Sequence, residues 1–170
     1  MKRTKWFERK FELELPDEKL NQVLERISKS PLVIQDLVKN VPEEKLNEKP
    51  NGKWSIKENV GHLTDLEELH TGRIDDFIKG KKILRPADLR NLKTEEAGHN
   101  NKSLNQLITE FMRARENFLR RIKSLDKKVL DTVSIHPRLN QPMRIVDMAY
   151  FIAEHDDNHI ETIKELMNNQ

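Results

Sequence analysis

The chain has 170 residues, with 31 lysines and arginines against 29 acids, a net charge of +2, and equal shares (35% each) of charged and hydrophobic residues. That length buries one sizeable core, expected as a single domain over 1–170, and the small, interspersed charge leaves no footprint for nucleic acid. There is no cysteine, which excludes disulfides, iron–sulfur clusters and thiolate zinc sites, so any metal must be held by His, Asp or Glu.

The opening stretch MKRTKWFERKFELEL is basic but lacks the apolar run of a signal peptide. No uncharged apolar stretch approaches the length of a membrane span, and a cytoplasmic location is the default expectation. Residues 1–15 read as an N-terminal arm. Within it FELEL, 11–15, alternates apolar and acidic residues, as a short strand or a segment laid over the domain would. Trp6, Phe7 and Phe11 are its anchors, to the bundle or to a second subunit. Pro16 and Asp17 open the first helix, with Leu20, Val23, Leu24 and Ile27 at helical spacing. Ser30-Pro31 resembles an N-cap followed by proline at the first helical position, which predicts a kink or restart before Ile34, Leu37 and Val38. Pro42 and EEKLNEKPNGK form a loop.

Ser55 with Glu58 three residues on is a capping box, and Trp54 stands where a hydrophobic staple residue would. The second helix then buries Ile56, Val60, Leu63, Ile74, Phe77 and Ile78, and Gly80 ends it. Residues 81–102 lack steady periodicity, and a connection of that length is often functional. The third helix starts near Ser103 and carries the stripe Leu104, Leu107, Ile108, Phe111, Phe118, Leu119 and Ile122. A second long loop, 126–143, contains His136-Pro137. The fourth helix spans about 144–167, and no second strand pattern is visible. The basic run RARENFLRRIKSLDKK, 113–128, reads as a solvated helix face. The whole predicts an all-α four-helix bundle with long crossover connections.

Six histidines are the chemically informative residues. At about 100° per residue, His159 lies about 40° from His155 on the fourth helix, within the stripe formed by Ile145, Met148, Ile152, Ile163 and Leu166. Two imidazoles in an apolar core are costly unless paired, and neighbouring histidines resist joint protonation. Their rise of about 6 Å suits convergence on one ion. A third ligand belongs on a facing helix, where His62 and His70 both qualify. His70 is the deeper by angle, His62 lies at the edge of the apolar side, and spacing does not choose between them. Asp156, about 100° from His155, could orient a ligand imidazole through its second nitrogen. His99 and His136, in the long loops, are candidates for contacts around the ion or substrate. Glu58 and Asp65 point toward the flank and read as cap and surface charges.

The segments WSIKENVGHLTDLEELHTGR, 54–73, and FIAEHDDNHIETI, 151–163, resemble the DinB-like four-helix-bundle superfamily of metal-dependent hydrolases and thiol transferases. The stretches RKFELELPDEKL, PADLRNLKTEEAGHN and HPRLNQPMRIVDM resemble one branch of it, so the resemblance covers nearly the whole chain. It implies His62, His155 and His159 as ligands of one divalent ion, zinc or nickel, and commonly a homodimer. The expected activity is that of a metal-dependent enzyme acting on a small-molecule substrate. Its nucleophile would be a metal-activated water or a low-molecular-weight thiol such as bacillithiol. The competing reading is a non-catalytic, metal-stabilised bundle serving as a stress-related binding or dimerisation module.

Overall fold

The computed structural model of the protein describes residues 3–168. Among them seven helices follow in chain order: α1 (Lys19–Val38), α2 (Glu43–Asn47), α3 (Ile56–Ile78), α4 (Leu92–Glu96), α5 (Leu104–Lys123), α6 (Lys127–Leu130) and α7 (Ile145–Asn168). The long helices α1, α3, α5 and α7 form the bundle. α3 packs on α5 and α7, and α1 packs on the same two. Consecutive long helices α1 and α3 therefore lie on a diagonal, as do α5 and α7. The connections that join them cross an end of the bundle.

Helix ends follow local chemistry. Ser55 Oγ accepts from the Glu58 N–H at 3.1 Å, and Glu58 Oε2 accepts from the Ser55 N–H at 2.8 Å, which is the reciprocal capping box. Gly80, at φ +60, follows the C-terminus of α3 in the left-handed region that costs glycine nothing. Ser103 accepts from the Gln106 N–H and caps α5.

α1 does not restart at Ser30-Pro31 but runs unbroken through it. Pro31 has no N–H, so the carbonyl of Ile27, one turn earlier, loses its helical donor. Arg115 of α5 supplies the replacement, its Nη1 donating to the Ile27 carbonyl at 2.7 Å. A tertiary hydrogen bond thus carries the helix across the proline.

The core divides into two apolar compartments. One gathers Ile27, Ile74, Phe77, Phe118, Ile145 and Ile152; the other gathers Ile34, Val60, Leu63, Leu107, Phe111 and Ile163. On each helix the step from one compartment to the other passes a polar or proline residue: Pro31, Glu67, Arg115 and Asp156. The Arg115 Nε donates to Glu67 at 2.9 Å, and its two terminal nitrogens donate to Asp156 at 2.6 and 3.1 Å. This buried layer is close to fully hydrogen-bonded, as a charge in such a place must be.

The first long connection contains α4 and a 3-10 turn at His99–Asn101. The second folds into an antiparallel hairpin, β1 (Ser134–His136) and β2 (Gln141–Met143), with Ser134 opposite Met143. It corrects the expectation of no strands here. Three-residue strands are too short to show alternation, and this pair is supported by a bridge from Ile83 to Ile135. FELEL, in contrast, forms no strand. After a 3-10 turn at Trp6–Glu8 the arm has no regular secondary structure, and its Leu15 N–H donates to Asp147 at 2.8 Å. Trp6 meets the rings of Phe11 and Phe151 at 5.2 and 5.1 Å, and Arg9 pairs with Glu154, so the arm is anchored on its own bundle. Phe7 stays 64% exposed.

Candidate metal centre

His62 comes from the second turn of α3, placed by the capping box that starts the helix. His155 and His159 come from successive turns of α7. One ring nitrogen from each of the three lies within 4.8 Å of the others. The imidazole centroids are 4.5 Å apart for His155 and His159, 4.9 Å for His62 and His159, and 5.5 Å for His62 and His155. His70 lies two turns further along α3, buried, with its Nδ1 3.4 Å from Glu67 Oε1. It is not in this cluster.

The hydrogen bonds behind the rings assign their tautomers. Asn59 Oδ1 lies 2.8 Å from His159 Nδ1, so Nδ1 carries the proton and the Nε2 lone pair faces inward. Thr94 donates its hydroxyl proton to Asp65 at 2.8 Å and therefore accepts from His62 Nδ1 at 3.0 Å. The Nε2 lone pair of His62 is again left free. Asp65 also meets His99 Nε2 at 2.8 Å, which completes a chain from His62 through Thr94 and Asp65 to His99. Gly61 makes room for it, because a Cβ at that position would overlap the His99 ring.

All three clustered imidazoles are held neutral. Burial and then the nearby His159 push His62 down to about 3. Burial, followed by the charge of a neighbouring histidine, holds His155 and His159 well below the usual imidazole range. A neutral imidazole is the ligand form.

The arrangement fits a divalent ion on two counts. His155 Nε2 and His159 Nε2 face each other at 3.3 Å, close to the roughly 3.3 Å edge set by two nitrogens about 2.05 Å from a tetrahedral ion. His155 Nδ1 is buried with no partner among the described residues. No tautomer of His155 satisfies both of its nitrogens here, whereas a shared cation would use the inward lone pairs.

The other expected residues sit elsewhere. Both oxygens of Asp156 face Arg115 and not an imidazole, because the buried guanidinium is the stronger partner. Asp65, expected as a flank charge, is half-buried behind His62. It becomes legible only once α4 and the His99 turn fold back onto α3. Glu58 stays a cap and pairs with Lys49. His136, buried on β1, lines a pocket beside the cluster.

That pocket has a volume of about 400 Å³ and includes His62, His155 and His159 in its walls. Trp54 packs on His62 at 4.6 Å and Trp6 on His155 at 4.9 Å. Leu66 and Leu69 add to an apolar lining, the usual character of a small-molecule site. No described helix is long and apolar enough to cross a membrane.

The Bacillus subtilis protein YfiT, described as a probable metal-dependent hydrolase with an unusual four-helix bundle topology, superposes with a TM-score of 0.79 at 16% identity. The match covers 93% of this chain and 91% of YfiT, and at that identity the likeness is one of fold. No curated protein matches the chain in sequence. The sequence pattern of the DinB superfamily matches residues 26–163, a span that takes in all three clustered histidines. The chain belongs to the DinB superfamily.

Proposed function

We propose that the protein holds one divalent ion, zinc or nickel, on His62, His155 and His159 and acts as a metal-dependent hydrolase on a small molecule bound in the adjoining pocket. The observation that carries this reading is the convergence of three neutral imidazoles on the wall of an apolar pocket. Three protein ligands leave a position for substrate, whereas structural zinc sites are closed by four. The description of YfiT supports the hydrolytic form. A divalent ion bound there would lower the pKa of a coordinated water or thiol toward neutrality. The chain's own contribution is positional. Asn59 and Thr94 hold the Nδ1 protons of His159 and His62, and Trp6 and Trp54 keep bulk water from two of the rings.

Thiol transfer is the second reading, favoured by the chemistry around the cluster. Among the described residues no carboxylate bonds to the three imidazoles, and the one acid that lines the pocket, Asp88, accepts from the Arg90 and Leu92 N–H groups, which leaves no free carboxylate beside the cluster to act as a general base. A thiol that ionises on the ion needs none. With no cysteine in the chain, the thiol would be a small cofactor such as bacillithiol.

The test is metal content of untagged protein by mass spectrometry. The expected result is about one ion per chain in the wild type and in His70→Ala, and loss in His62→Ala, His155→Ala and His159→Ala. Metal that survives His62→Ala but not His70→Ala overturns the ligand assignment. Loaded protein is then assayed on esters and amides, and on thiols with electrophiles. Inertness throughout, with a much lower melting temperature after stripping, would assign the ion a structural role.

A further inference from the structure

The pocket beside the histidines also contains two arginines without acidic partners. Arg73 of α3 is only 3% exposed. Its Nε donates to the Arg85 carbonyl at 3.1 Å, and its Nη1 faces His136 Nε2 at 3.4 Å. The nearest acid, Asp76, is already bonded to Arg85 and Lys81. Arg138, on the β1–β2 turn, stacks over Phe7, Phe151 and Trp6 at 5.2, 5.6 and 5.7 Å. Its Nη2 is buried with no hydrogen-bond partner among the described residues. Neither the buried Arg73 nor the half-buried Arg138 forms an ion pair among the described residues, whereas the buried cations Arg115 and Lys57 do.

A buried cation without a counter-charge is expensive. Burial pushes Arg73 down to about 10, with Asp76 opposing, and it lowers Arg138 as well. His136 cannot serve as the counter-charge. Its Nδ1 accepts from the Arg138 and Leu139 N–H groups, each at 3.2 Å, so it is neutral and presents Nε2 to Arg73. The groups at this end of the pocket are thus donors awaiting an acceptor. They are separated from the metal-binding histidines by one pair of rings: His136 packs on Phe151 at 4.9 Å, and Trp6 packs on both Phe151 and His155.

We infer that Arg73 and Arg138 form an oxyanion subsite, and that the substrate is an amphipathic small molecule with a carboxylate or phosphate at this end and an apolar body along the Trp6–Phe151 wall. Its reacting group would then lie at the histidine cluster. This inference rests on the reading that the pocket receives the substrate, but not on the ion. Charge-assisted bonds from two guanidinium groups supply the affinity for the oxyanion, and the aromatic wall supplies the apolar contact.

The test is calorimetric titration of the full chain, stripped of metal by chelation and again loaded with zinc. The probes are 4-phenylbutyrate, phenyl phosphate and the neutral 4-phenylbutyramide. The stripped wild type is expected to bind at least one anion roughly tenfold or more tighter than the amide; which anion binds distinguishes a carboxylate from a phosphate substrate. Arg73→Gln and Arg138→Gln are each expected to remove that preference. Arg138 is only half-buried, so its variant decides the matter even should Arg73→Gln fail to fold. Equal binding of anion and amide, or a preference that persists in Arg138→Gln, overturns the subsite. A preference seen only with zinc and lost in His155→Ala places the oxyanion on the ion, which overturns the subsite and supports the metal reading. An anion preference in a protein that binds no metal does the reverse.

Discussion

Thr94 has one hydroxyl proton to give, and Asp65 takes it, so the same oxygen must accept from His62. That one constraint fixes which imidazole nitrogen of His62 faces the cluster. Partners behind a ligand histidine typically change metal affinity 10- to 100-fold when removed. Thr94→Val keeps the shape and removes the acceptor. The expected outcome is zinc affinity weaker by roughly tenfold or more, with an unchanged circular dichroism spectrum, measured by competition with a chromophoric chelator. Unaltered affinity would show that Thr94 does not hold the ring. None of this was legible locally. Asp65 and Thr94 are 29 residues apart and meet only because the first long connection folds back on α3.

At the scale of elements, the pairing of Pro31 with Arg115 shows how one helix repairs another. The missing N–H of Pro31 leaves the Ile27 carbonyl to Arg115, whose remaining donors go to Glu67 and Asp156. Four helices therefore meet on one guanidinium. Arg115→Met is expected to destabilise the protein by about 3–5 kcal/mol, because it strands two carboxylates in the core. Urea denaturation of wild type and variant measures it, and a loss under about 1 kcal/mol would mean the layer relaxes or admits water. A restart at Ser30-Pro31 is the local reading, and a distant donor overrides it. Helix ends at Ser55, Gly80 and Ser103 were legible because capping involves only neighbours in sequence.

At the scale of the whole molecule, burial of neutral histidines ties stability to pH. His136 is pushed down to about 3 by burial, Arg73 and Arg138. In the unfolded chain it titrates near 6.5. The unfolded state therefore takes up the proton first, and stability falls as pH drops from about 6.5 toward about 3. His136→Asn keeps an acceptor for the Arg138 and Leu139 N–H groups but cannot titrate. Between pH 7 and 5.5 the stripped wild type is expected to lose about 1 kcal/mol more than this variant, read from urea midpoints at the two pH values. Parallel losses would show that His136 is protonated in the folded state.

The same division runs through the entire protein. The periodicity of four apolar stripes, the caps between them and the four-residue spacing of His155 and His159 are properties of neighbouring residues, and the sequence by itself determined them. What only the tertiary structure decided is which distant groups share a place: His62 rather than His70 beside the α7 pair, Asp156 on Arg115 rather than on an imidazole, and the hairpin that brings His136 and Arg138 to the pocket. Helical angle ranks how deep a residue lies but not the level at which two helices meet. That level is set by packing two apolar compartments on either side of the Arg115 layer, and no local pattern encodes it.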